Sequence, residues 1–160
     1  MQILNQFFEA AQKRQLSVVL PEGDDARVIS AARQLVDGGI ARPIVLGDPD
    51  SLRQAARAAS VSLDGIQAID PRNDDRTESY VQAYIARRGV KEGIARRMVK
   101  KPVFFGGMMV AQGDAHSMVA GVAHATATVI QAGALTIGLT PGIETVSSFL
   151  DRKSTRLNSS

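Results

Sequence analysis

Apolar residues recur along the chain in two periods, and the alternation between them predicts the fold class. In residues 3–14, Ile3, Leu4, Phe7, Phe8 and Ala11 fall at helical spacing, which predicts an amphipathic opening helix. Ser17 to Leu20 is a short apolar run stopped by Pro21 and Gly23, the pattern of a buried strand ending in a turn. Asp24 or Asp25 then caps a helix on which Val28, Ile29, Ala32, Leu35 and Val36 recur at three and four, until Gly38 and Gly39 end it. Pro43 to Gly47 is a second strand. Asp48 to Ser51 offers another cap, with Pro49 in the first turn, for a helix through about Ala59.

The second half repeats the alternation less regularly. Residues 65–70 (GIQAID) give a third strand, ended by Pro71. A helix from Asp74 to Gly89 carries Tyr80, Val81, Tyr84 and Ile85 on one face, and a basic helix spans Lys91 to Lys101 before Pro102. VFFGGMMVAQGD is periodic but broken by Gly106 and Gly107, and it is read as helical. Met118 to Ala120 is a strand, Thr126 to Leu139 a helix, and Glu144 to Leu150 a last strand behind the Pro141-Gly142 turn. Short apolar strands separated by helices imply parallel strands with right-handed crossovers. The expected architecture is α/β in three layers, a mostly parallel sheet flanked by helices and cut short at its carboxyl end. Residues 1–150 would form part of one domain, and DRKSTRLNSS (151–160) a solvated, foreign tail.

Composition narrows the function classes. At 160 residues one core is affordable, and two domains are not expected. Hydrophobic residues at 44% and charged residues at 22% match an ordinary globular mixture rather than a disordered chain. No stretch approaches the roughly 18 apolar residues of a spanning helix. The amino terminus lacks the order of a secretory signal, and cysteine is absent, so a cytoplasmic setting is expected without disulfides or thiolate metal sites. The net charge of +3 is concentrated at the end: without residues 151–160, 16 basic face 15 acidic residues, a net of +1. With aromatics at 4% and no basic stripe among stacking residues, neither a nucleic-acid surface nor a membrane partner is expected.

The unusual stretch is MVAGVAHATATVIQAG, Met118 to Gly133, nearly free of bulk and charge. A strand leading through Gly121 into a helix capped by Thr126 would leave backbone N–H groups free at the carboxyl edge of the sheet. There the helix dipole and orphan donors favour an anion, and small residues let it approach. The crevice outside the strand ends is where open α/β sheets bind ligands. Close helix-on-strand packing uses the same residues, and spacing alone does not separate the two. Neither GxxxxGK[ST] nor GxGxxG is present, so no standard nucleotide loop is supported. His116 and His124 are the only imidazoles. His116, beside Asp114, reads as a turn residue and His124 as a site-lining one; no set of three or four convergent metal ligands is visible.

Three blocks in order, LPEGDDARVISAARQLVDGGIARPIVLGDPD, FFGGMMVAQGDAHSMVAGVAHAT and PGIETVSSFL, resemble the amino-terminal half of the phosphate acetyltransferases, within the wider phosphate acetyl/butyryl-transferase family. The resemblance runs from Leu4 to Leu150 and implies reversible transfer of an acetyl group between coenzyme A and inorganic phosphate. Coenzyme A is then a substrate, with no permanently bound cofactor and no metal, in a homo-oligomeric parent. It implies that Ala120, Gly121, His124 and Thr126 line the phosphate end of the cleft, that Arg87 contacts the anionic substrate, and that Ser147 and Ser148 lie near the cleft. Apart from the resemblance, Arg87 reads first as a cation at a helix C-terminus just before Gly89, and the serines as polar alternation on a half-buried strand. Arg96, Arg97, Lys100 and Lys101 form a basic face that either meets the phosphates of coenzyme A or is simply solvated. The resemblance places the thiol's base, an aspartate, and a further arginine in the carboxyl-terminal half, so no catalytic residue is expected in this chain and no activity from it alone.

Some positions depart from the family pattern. Ala120 stands where many members have serine, and Gln131 falls where many have arginine in a TLRPA run, which puts acyl specificity in doubt before fold. Phosphate butyryltransferase and an acyltransferase-like regulatory domain of a malic enzyme are the alternatives. An NAD-binding domain upstream of Met1 would mark the second; an opening helix directly after Met1 fits a free-standing start. A stand-alone interaction domain is a third reading.

Overall fold

A computed structural model describes residues 2–143; side chains are described from residue 5 onward. The strand expected at 144–150, the serines within it and the tail at 151–160 lie outside the described residues. Among those described, the order is α1 (Gln2–Arg14), β1 (Ser17–Leu20), α2 (Ala26–Asp37), β2 (Arg42–Leu46), α3 (Pro49–Ala59), β3 (Gln67–Ile69), α4 (Thr77–Arg88), α5 (Glu92–Val99), α6 (Pro102–Gln112), β4 (Ser117–Met118) and α7 (Thr126–Thr136).

The four strands form one parallel sheet ordered β3-β2-β1-β4. Val18 pairs with Pro43, Val19 with Ile44 and Leu20 with Val45, and successive side chains point to opposite sides, so each strand feeds both faces. Val18, Leu20 and Val45 meet Val28, Ile29, Ala32, Leu52, Ala55 and Ala56 of α2 and α3 on one side. Val19, Ile44, Leu46 and Ile69 meet Tyr80, Tyr84, Val99, Phe105 and Met109 of α4, α5 and α6 on the other. The three-layer α/β architecture is therefore as the periodicity predicts, and the apolar runs are continuous because both faces are covered.

Local chemistry sets the element ends. Asp25 caps α2 by accepting from the Arg27 amide at 2.8 Å, and Asp48 caps α3 by accepting from Asp50 and Ser51. α5 is shorter than the basic run suggests, and β4 starts one residue before the expected strand Met118–Ala120 and ends at its first residue. α1 has the expected period, yet Phe7 and Phe8 on its apolar face are 67% and 47% exposed and stay out of the core.

Gly106 and Gly107, the breakers inside α6, are contact points. A Cβ on Gly106 would lie 2.9 Å from both Val19 Cγ1 and Met118 Sδ, and one on Gly107 would collide with Thr136 Oγ1 of α7. α6 is helical despite two glycines because only glycine lets it lie this close to the sheet and to α7 at once.

Candidate functional site

The sheet reverses direction of growth between β1 and β4. β1 leads to β2 on one side, while the chain returns after β3 through three helices to place β4 on the other. The loops after β1 and β4 therefore meet at the carboxyl edge, the crevice where such sheets bind ligands.

What meets there is a carboxylate and a ring of amides. Glu22, in the turn after β1, is 1% exposed. Its Oε2 accepts from the Gly121 and Val122 amides, both at 2.9 Å, and its Oε1 from those of Ala123 at 2.9 Å and His124 at 2.7 Å. His124 Nδ1 lies 2.9 Å from the same Oε1. Successive N–H groups converging on one point make an anion nest. Gly121 supplies the turn into it with φ at +112°, a conformation that favours glycine. Burial pushes the Glu22 carboxyl up, but the amides of Val122 and Ala123 and the contacts from His124 outweigh it and hold the group at about 2.

This corrects the expectation of free donors at residues 121–124. The small residues do bring backbone to an anion, and the anion is the protein's own. An acidic residue directly after a buried strand, at a Pro-Glu-Gly turn facing the small-residue loop, was the signal in the sequence that could have shown it. Arg27 adds a tie from α2, bonded to Asp25 at 2.6 Å and reaching the Val122 carbonyl at 3.4 Å. The pair holds the Asp25 carboxyl at about 2, chiefly through the Arg27 side chain.

Unfilled donors begin one residue further on. α7 starts at Thr126 with Ala125 as its N-cap and no side-chain cap, so Thr126 is the first helical residue rather than the cap. α6 starts at Pro102 behind Lys101, also without a side-chain cap. The two helix starts open on one cleft of about 410 Å³, lined by Lys101, Pro102, Val103 and Phe104 on one side and His124, Thr128 and Gln131 on the other. Lys101 is exposed and His124 half-buried there. First-turn amides lack intrahelical acceptors, and each dipole adds about half a positive charge at its start. Ala120 is half-buried at the entrance to the nest, and Gly121 and Thr126 are exposed.

Arg87 is elsewhere. Its guanidinium forks onto the carbonyls of Thr136, at 2.7 Å, and Ile137, closing the C-terminal end of α7. Eleven helical residues separate it from Thr126 by about 15 Å. The fold thus brings Ala120, Gly121, His124 and Thr126 together and leaves Arg87 at the far end of the same helix. The favourable interaction is with the dipole of α7, not with that of Arg87's own helix. Of the basic face, Arg96 is bonded to Glu78 at 2.6 Å and Glu92 at 2.7 Å, while Lys101 reaches the cleft. His116 is tied to β1: its Nδ1 accepts from the Ser17 amide at 3.1 Å, with Ser17 Oγ at 2.8 Å. Among the described residues no three His, Asp or Glu side chains gather as a metal would require, and no helix is long and apolar enough to cross a membrane.

Comparison with known proteins adds a family to this geometry. The sequence profile of the phosphate acetyl/butaryl transferases matches residues 2–153. The phosphate acetyltransferase of Acetivibrio thermocellus is 33% identical over 152 residues, which are 93% of this chain and 45% of that protein. The corresponding enzyme of Corynebacterium glutamicum is 35% identical over 90% of this chain and 45% of its own length. Among solved structures, a phosphotransacetylase from Staphylococcus aureus superposes with a TM-score of 0.83 at 30% identity, covering 90% of this chain and 44% of that one. One from Streptococcus pyogenes gives 0.84 at 27% identity. The chain spans less than half the length of these relatives.

Proposed function

Because the chain belongs to the phosphate acetyl/butaryl transferase family, we propose that it is the amino-terminal portion of an enzyme transferring an acetyl group reversibly between coenzyme A and inorganic phosphate. Its own contribution is to hold phosphate in the cleft between the starts of α6 and α7. One observation carries this reading: two helices without side-chain caps begin on the same cleft, flanked by Lys101 and His124. The amides of the first turns, the two dipoles and the ammonium act on one small volume, each exposed dipole contributing about 0.3–1 kcal/mol and more where water is excluded.

Acyl transfer to phosphate needs the phosphate oriented towards the thioester carbonyl, a proton acceptor for the thiol in the reverse direction, and donors for the tetrahedral oxyanion. This chain serves the first need. By resemblance the thiol's base and an additional arginine belong to the carboxyl-terminal half of the enzyme, so the chain alone is expected to bind phosphate without turnover. Removing one oxyanion donor costs about 3 kcal/mol in such reactions, and here the base is missing as well.

The test is formation of the thioester from acetyl phosphate and coenzyme A, followed by absorbance, with butyryl phosphate in parallel. The 160-residue chain should give no rate above the uncatalysed one, whereas the chain joined to the carboxyl-terminal half of the Acetivibrio thermocellus relative should turn over acetyl phosphate. Ordinary turnover by the isolated chain would contradict the proposal. A folded joined protein that uses only the butyryl substrate would reassign the acyl group.

A further inference from the structure

We infer that Glu22 is a positioning residue for His124: it holds the ring in the Nδ1–H tautomer, so that the imidazole exchanges its proton only through Nε2, on the ring edge that faces the α6–α7 cleft. The inference rests on the phosphate reading above for what occupies the cleft, but not for the state of the ring.

The argument is one of donor and acceptor counting. A carboxylate that takes four amide hydrogens is an acceptor only, so the His124 Nδ1 at 2.9 Å from Oε1 must be the donor. The His124 amide is bonded to the same oxygen at 2.7 Å, so backbone and ring share one acceptor. With Nδ1 committed in both charge states of the ring, every proton entering or leaving passes through Nε2. His124 lines the cleft together with Thr128, Gln131 and Lys101. A carboxylate behind an imidazole in this way both selects the tautomer and stabilises the imidazolium when it forms.

The chemistry fits a phosphate monoanion. Its P–OH proton moves to Nε2, the ring becomes imidazolium against Glu22, and the phosphate is left as the dianion, the better nucleophile for a thioester carbonyl. In the reverse sense the same proton returns to the released phosphate. No other reactant is needed.

His116 provides an internal control, because the Ser17 amide can only donate and meets His116 at Nδ1. His116 is therefore the opposite tautomer, with its proton on Nε2. Long-range proton–nitrogen correlation spectra of the intact chain, labelled with nitrogen-15 and recorded at about pH 8.5, two units above an ordinary imidazole, read both rings together. His116→Asn assigns the signals. The expected result is Nδ1–H for His124 and Nε2–H for His116. Glu22→Ala should then shift the His124 tautomer ratio towards Nε2–H by roughly tenfold or more, the size of one hydrogen bond to a charged group.

Predominant Nε2–H at His124 in the unmodified chain overturns the inference, and so does a Glu22→Ala chain whose His124 ratio is unchanged. If Glu22→Ala does not fold, the spectrum of the unmodified chain decides alone. Adding inorganic phosphate to the same sample reads the other proposal separately. Movement of the Nε2 signal reports occupancy of the cleft whichever tautomer is present, so either idea can fail without the other.

Discussion

Glu22 occupies the place that the small-residue loop suggests for a substrate anion, and the consequence is measurable in stability before it is in binding. The side chain is 1% exposed and satisfied by four amides and an imidazole. Its carboxyl falls from 4.5 to about 2 on folding. A depressed carboxyl contributes stability that is present above its unfolded value. Below pH 4.5 the unfolded chain binds a proton that the folded chain refuses, so this contribution drains away as pH falls towards 2. Glu22→Gln turns an NH2 group towards the Gly121 and Val122 amides and should lose about 3 kcal/mol at pH 7, seen as a lower urea midpoint. The gap between the two proteins should narrow steadily from pH 4.5 to 2; a gap independent of pH over that range would show that Glu22 is not held ionised by the loop. At this scale the sequence was only partly legible. Gly121, Ala123 and His124 mark an anion-seeking loop by their composition, but which anion it meets depends on a residue about a hundred positions away, and no local pattern records that distance.

At the scale of elements, position was legible from periodicity while ends and faces were decided by contacts. Asp25 and Asp48 announce α2 and α3 because a cap is a local device. α7 instead stops at Thr136, short of the apolar run ending at Leu139, where the Arg87 fork takes the carbonyls of Thr136 and Ile137 and Gly138 turns with φ at +87°. That fork comes from α4, so the sequence around Leu139 carries no sign of it. It is also why Arg87, matched to a substrate-contacting arginine by resemblance, lies at the end of α7 away from the cleft. The seam between α6 and α7 is similarly tertiary. Gly107→Ala should gain the better helix propensity of alanine, about 1 kcal/mol, and still destabilise the protein, because the new methyl meets Thr136 Oγ1 and overpacking costs typically 1–3 kcal/mol. Adding Thr136→Ala should recover part of the loss, so the two changes would be non-additive in thermal unfolding. Strict additivity would mean that the helices are not in register at this point.

At the scale of the molecule, the fold class was readable in full, since alternating short strands and helices admit few sheet topologies. The order β3-β2-β1-β4 then puts the sheet's switch point between β1 and β4, the kind of crevice where open α/β sheets bind ligands, without reference to any single residue. Of the large apolar side chains exposed among the described residues, Phe7, Phe8, Leu16 and Ile94 are scattered over the first part of the chain, while Val119, Val122, Ile130, Ile137, Leu139 and Ile143 follow one another from the β4 loop through α7 and beyond it. This is the region next to the half of the family's length that the chain does not span. The proposed function rests on this arrangement: the amides at 121–124 are filled from within, and the next amides, at the start of α7, face a cleft. The most direct measurement is a titration of inorganic phosphate into the nitrogen-15-labelled chain, followed amide by amide. The amides of Thr126 and Ala127, with those of Val103 and Phe104, should move and saturate, while those of Gly121, Val122 and Ala123 stay with Glu22. Saturating shifts at Gly121 to Ala123 with none at Thr126, or no shift anywhere at millimolar phosphate, would contradict the account.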